Sequence, residues 1–215
     1  MKDFAKSYLD FLRKELRGLN LTRILDPQEF YNKQIYDSFL PLEKSSIFCS
    51  KIEETGLLVD VGFGGGFPLL PIAKKMPAIK CIGVEARMKK VEAVRLLAKH
   101  LDLKNVELIH QRIENINLDR PSVITIKAVG KIETFLNSLH CHNQTFCFFY
   151  KGPRVEQLEP IKAPRGWQLI EDISFAVVGT EGRRFLGYKS IVPRGTIASK
   201  NNPKNSSLAR LSGIL

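Results

Sequence analysis

The stretch LLVDVGFGGGFPLL, residues 57–70, restricts the fold of this chain more than any other segment. The apolar run Leu57–Val61 reads as a short buried strand, and Gly62, Gly64, Gly65 and Gly66 follow it within five positions. The next residues, FPLLPIAKKM, open as a helix with Pro68 near the first turn. A glycine-rich turn from strand to helix lets a ligand lie against bare backbone, and the helix start offers it free N–H groups. The dinucleotide pattern G-x-G-x-x-G requires glycine where this chain has Phe67. A nucleoside-triphosphate loop requires a Lys-Ser/Thr pair, which is also missing. What stands here is D-x-G-x-G-x-G, led by Asp60.

Downstream, strand-like and helix-like patterns alternate. AIKCIGVE (78–85), VELIH (106–110), SVITIKAV (122–129) and TFCFFYK (145–151) read as strands. Helical patterns fall at 88–103 and 131–139. This order predicts an α/β fold with a doubly wound, mostly parallel sheet covered on both faces. Segments 167–178 and 183–192 then read as a closing antiparallel pair around the turn GTEGR. Ahead of the sheet, residues 1–55 form a predicted helical cap of three helices. The first carries a stripe from Phe4 to Leu19, the second runs through Phe30, Ile35 and Phe39 and stops before Pro41, and the third holds Ile47, Phe48 and Ile52. The sheet domain spans 56–193. Residues 194–215 are basic, lack acids, and read as a mobile arm.

A net charge of +11 and an isoelectric point near 9.6 call for a polyanionic partner. No apolar run reaches the roughly 18 residues a membrane span needs, and the N-terminus lacks a secretory pattern, so a cytoplasmic protein is expected. Cys49, Cys81, Cys141 and Cys147 are scattered, and the four histidines lack metal or triad spacing, so no metal site is expected.

The D-x-G-x-G-x-G loop resembles that of S-adenosylmethionine-dependent methyltransferases of the Rossmann-like class I fold. Glu85 lies 23 residues after Gly62 and ends the second strand pattern, where an acid suits paired ribose hydroxyls. More narrowly, DVGFGGGFPLLPIA resembles D-V-G-[ST]-G-x-G-[FL]-P-G-[IL]-P-[IL]-A of the RsmG or GidB family, guanine-N7 methyltransferases of 16S ribosomal RNA. NLT (20–22), IYDS (35–38), QRIEN (111–115), IKAV (126–129) and FFYKG (148–152) resemble further landmarks of that family in the same order. The chain departs from it at Phe63 for Ser or Thr, Leu69 for Gly, Lys33-Gln34 for Arg-His, and Lys127 for Arg.

The resemblance implies that S-adenosyl-L-methionine is bound by Asp60, Gly62, Gly64, Gly66, Phe67, Glu85, Ile113 and Glu114, with Lys127 near the methyl-donor pocket. Lys127 and Lys151 would position the base or its phosphate without a general base, since guanine N7 carries a lone pair and no proton. Arg183 and Arg184 fall on the same strand-end rim, and Arg13, Lys14, Arg17 and Arg23 would extend a phosphate-tracking surface over the cap. The implied partner is 16S ribosomal RNA or the small ribosomal subunit, met by a monomer. Two alternatives remain open at this point: the same fold acting on another RNA or a small molecule, and a basic RNA-binding module without turnover.

Overall fold

The computed structural model describes residues 1–191 and 209–210. The cap begins with α1 (Lys2–Glu15), which buries Phe4, Tyr8, Leu9 and Leu12 along one face. Asp3 in its first turn and Arg13 and Lys14 in its last complement the helix dipole. The predicted stripe outlasts the helix. Gly18 adopts φ +86°, so Leu16 and Leu19 pack against the core from an irregular segment.

The second predicted helix is three pieces. α2 (Pro27–Phe30) starts at Asp26, whose side chain accepts from the Glu29 N–H at 2.8 Å. A π-helical turn (Tyr31–Tyr36) follows, and then α3 (Asp37–Lys44). The expected stop before Pro41 does not occur, because Pro41 is buried inside α3, which packs against its neighbouring helices. Proline there removes one intrahelical N–H, and tertiary burial outweighs that loss. α4 (Ser46–Thr55) is capped by Ser45 Oγ accepting from the Phe48 N–H, and it ends on left-handed Gly56.

The sheet domain runs β1 (Leu57–Val61), α5 (Leu69–Lys75), β2 (Lys80–Glu85), α6 (Met88–His100) and β3 (Val106–His110). After a 3-10 turn (Ile113–Asn115) come β4 (Ile116–Leu118), β5 (Ser122–Lys127), α7 (Ile132–Ser138) and β6 (His140–Cys141). The chain closes with β7 (Thr145–Lys151), α8 (Val155–Leu158), β8 (Trp167–Phe175) and β9 (Arg183–Ser190). Seven strands form one sheet in the order β3-β2-β1-β5-β7-β9-β8. β9 alone runs against its neighbours, inserted between β7 and β8. The mostly parallel, doubly wound sheet with an antiparallel closing pair is the architecture the sequence predicted.

Alternation along β1 splits the core in two. Leu58 joins the cap, α5 and α6 on one face, while Leu57, Val59 and Val61 join Ile132, Phe135 and Leu136 of α7 on the other. A small parallel sheet, which the sequence did not signal, pairs β4 with β6 and with β10 (Ala209–Arg210). Apart from β10, the predicted basic arm lies outside the described residues. Strand order reverses between β1 and β5, which leaves a crevice beyond their carboxyl ends. Among the described residues no helix is long and apolar enough to cross a membrane.

Candidate active site

The glycine loop occupies that crevice, and its glycines answer to different neighbours. Gly62 donates its N–H to the Val84 carbonyl at 2.7 Å and has φ +70°. A β-carbon there would stand 2.6 Å from Val129 Cγ2, on the wall of a cleft. Gly65 faces the cap instead. A β-carbon on it would stand 2.6 Å from the Leu21 carbonyl oxygen, and the Gly65 carbonyl accepts from the buried Tyr8 hydroxyl at 2.7 Å. Gly64 donates its N–H to Glu85 Oε2 at 3.2 Å, and Gly66 is buried against Leu70.

Asp60 braces the loop from beneath. Its carboxylate is fully buried and accepts from the Leu69 N–H at 3.1 Å and the Thr125 hydroxyl at 2.9 Å. Burial pushes its pKa up to about 7, against those two hydrogen bonds. Among the predicted cofactor residues, Gly62, Glu85, Ile113 and Glu114 line the cleft, a space of about 350 Å³ that Val84, Val129 and Phe135 also wall. Glu85 Oε1 accepts from the Arg87 N–H at 3.0 Å, so backbone donors on both oxygens set its carboxylate against the loop. Asp60, Gly66 and Phe67 are buried and do not line it, and half-buried Gly64 lies beside it under Lys90. The Phe67 ring sits 5.2 Å from Tyr8 and 5.7 Å from Phe30, joining loop to cap.

The departures at Phe63 and Leu69 do not face the cleft. Both are buried over Gly83, whose added β-carbon would stand 2.7 Å from Phe63 and 2.6 Å from Leu69. The bare α-carbon of β2 makes the room these larger side chains occupy.

Lys127 and Lys151 stand in separate ion pairs. Lys127 Nζ lies 2.8 Å from Asp37 Oδ2 and about equally far from the Phe67 and Tyr150 ring centres, 6.0 and 5.9 Å. Burial pulls the pKa of Lys127 down, and Asp37 offsets part of that. Asp37, with no exposed surface, also receives Arg183 in a two-pronged contact of 2.7 and 3.1 Å. Tyr150 closes the joint by donating to the Ser38 carbonyl at 2.7 Å. Lys151 Nζ meets Glu159 Oε1 at 2.6 Å and the Gly130 carbonyl at 3.0 Å, while the other Glu159 oxygen accepts from the Ile132 N–H at 2.6 Å. Arg184 is held by Asp172 and by Glu156. The four strand-end cations predicted to meet a polyanion thus all carry acidic partners.

Asp37, the shared partner of Lys127 and Arg183, was missed as a site residue. The signal was an aspartate flanked by Ile35 and Phe39 inside an apolar helical stripe, within IYDS. Glu159 gave no such signal.

The cleft suits a nucleoside. It offers a carboxylate for paired hydroxyls, an apolar slot at Val84 and Ile113 for a base, and bare backbone at Gly62.

A family model described as rRNA small subunit methyltransferase G (GidB) matches residues 1–184. The chain is 31% identical to a ribosomal RNA small subunit methyltransferase G of Lactobacillus helveticus, over 97% of this chain and 89% of the relative. It is 27% identical to the protein of that name from Streptococcus pyogenes serotype M12, over 99% and 89%. Among solved structures, a SAM-dependent methyltransferase from Aquifex aeolicus superposes with a TM-score of 0.52 at 16% identity, over 77% of this chain and 94% of that one. A mutant of MtNAS in complex with S-adenosylmethionine superposes with a TM-score of 0.55 at 15% identity, over 88% and 73%. These similarities identify the sheet as a Rossmann-like class I methyltransferase fold.

Proposed function

This chain belongs to the rRNA small subunit methyltransferase G family, and we propose that it transfers a methyl group from S-adenosylmethionine to N7 of a guanosine in 16S ribosomal RNA. The observation that carries this reading is the cleft at the switch point, where the Glu85 carboxylate and Ile113 stand beside the bare backbone of Gly62. Glu85 would take the ribose hydroxyls, Ile113 and Glu114 the adenine, and Gly62 the chain leading to the sulfur. When bound, the cofactor supplies an electrophilic methyl group.

The residues around the cleft need only place the acceptor. Guanine N7 presents its lone pair on the major-groove edge without a proton to remove. Alignment alone contributes on the order of 7–11 kcal/mol to such a transfer. Asp60, despite its raised pKa, is sealed beneath the loop and serves as a brace rather than a base. Lys127 and Lys151 act as positioning residues. Lys127 fixes the end of β5 against Asp37 and the Phe67 ring, and Lys151 ties the end of β7 to the loop before α7. The acceptor then meets a wall braced by these ion pairs. RNA must offer the base from a loop or flip it outward to reach that wall.

The test is transfer of labelled methyl to small ribosomal subunits and to their naked RNA, followed by nucleoside analysis. Label in 7-methylguanosine is the expected result. Label on another nucleoside, on protein, or nowhere refutes the assignment.

A further inference from the structure

We infer that the cofactor cleft carries a phosphate-gripping rim for RNA, formed by Arg87, Lys90 and Arg112. The inference rests on the RNA reading above and says where the backbone of that RNA lies. All three side chains line the cleft, Arg87 and Lys90 from the start of α6 and Arg112 from the turn after β3. Lys90 Nζ reaches over the glycine loop, 3.8 Å from where a β-carbon on Gly64 would stand. Arg87 and Arg112 are exposed.

Three observations converge on an anion from outside. First, among the described residues none of the three has an acidic partner at ion-pair distance. Lys127, Lys151, Arg183 and Arg184 are all neutralised by acids within the fold, whereas these three cations beside the cleft are not. Second, the cleft's own carboxylates do not use this charge. Glu85 accepts from backbone N–H groups, and Glu114 is exposed. Third, the cofactor proposed for this cleft is itself cationic, with a sulfonium and an ammonium against one carboxylate. Glu85 and Glu114 on the same wall offset two of the three protein cations, and the charge left over still weakens its binding unless a further anion lies among them. The first turn of α6 has no acidic residue, and adds Lys89 to Arg87 and Lys90 at the end of the helix where the dipole disfavours cations.

An RNA backbone satisfies all three. It brings phosphates to the outer edge of the cleft while one base enters at the switch point, and counterion release supplies the affinity. The contacts fix the register of the strand on the protein and carry no base information.

The test compares the wild type with the triple variant Arg87→Gln, Lys90→Gln, Arg112→Gln for binding of a fluorescently labelled 16S rRNA transcript from 50 to 200 mM salt. About six phosphate contacts give the wild type a log–log slope near −4 to −5. The triple variant should be shallower by about 2 to 3, and weaker at every salt concentration in the lower range. A charge-keeping variant, Arg87→Lys with Lys90→Arg and Arg112→Lys, should restore the slope. An unchanged slope in the glutamine variant, checked for an unaltered melting temperature, overturns the rim and leaves the methyl-transfer assignment standing. If the wild type binds no transcript at any salt, the RNA reading falls and takes the rim with it.

Discussion

Replacing Asp37 by asparagine tests the joint between cap and sheet. The side chain keeps its size and loses its charge. Lys127 then retains a buried ammonium whose side chain is 13% exposed, with no carboxylate at ion-pair distance and only Asp60 farther off. Arg183 is 24% exposed and can turn toward water, so Lys127 dominates the loss. Removing one partner of a buried ion pair costs about 3–5 kcal/mol. At about 2–4 °C per kcal/mol for a chain of this size, the melting temperature should fall by roughly 6–20 °C. Urea unfolding followed by the fluorescence of Trp167 and by circular dichroism measures the loss. Adding Lys127→Met to Asp37→Asn removes the stranded ammonium, so the double variant should recover part of it. The pH dependence has a definite sign. Burial raises the pKa of Asp37, but Lys127 and Arg183 outweigh it and hold the carboxyl below its ordinary range. Its stabilisation is therefore complete above the ordinary carboxylate pKa and disappears as acid titrates the folded form. Asp37→Asn should lack that part of the acid transition. A loss below about 1 kcal/mol, typical of exposed pairs, would refute the reasoning.

Glu85→Ala should weaken S-adenosylmethionine binding by about 10- to 150-fold, the worth of hydrogen bonds to a charged group, and calorimetry reads it directly. Unaltered affinity would remove Glu85 from the site. Tyr8→Phe strands the buried Gly65 carbonyl and should cost about 1–3 kcal/mol in unfolding experiments. No measurable change would mean that cap and loop are not coupled there. Asp60→Asn should flatten the pH profile of stability. Because the folded form holds its proton up to about 7, the wild type loses up to about 1.4 kcal/mol per pH unit as pH rises from 3.8 toward that value. A variant whose stability still falls over that window would show that another group titrates there.

Strand and helix order was readable in the sequence because each sheet strand and its covering helix carry their own apolar period. The GFGGGFP loop was readable because its glycines fall between two such periods. Pro41 misled because burial against α4 and α5 is invisible to local propensity. β4, β6 and β10 have too few residues to show any alternation. Glu85, Ile113 and Glu114 could be placed on the cleft by spacing and motif, since each sits at the carboxyl end of a strand or in the turn after it. What could not be read was how the charges pair. Asp37 meets Arg183 and Lys151 meets Glu159 only after the chain has folded back on itself, and no period records such a meeting. The basic residues that looked committed to RNA by their place at strand ends are committed to acids. Arg87, Lys90 and Arg112, which no motif marked, line the cleft without such an acid.

The Asp37–Arg183 contact also sets a schedule. Its partners lie 146 residues apart, with the acid in the first helices and the arginine at the start of β9. At about 5–20 residues per second, a growing chain makes the arginine roughly 7–30 s after the aspartate. Through that interval Phe48 of the cap lacks Phe185 of β9, one of the two rings it packs against. The cap is made first and finished last, so the nascent chain keeps part of the cap's aromatic surface uncovered until β9 is made.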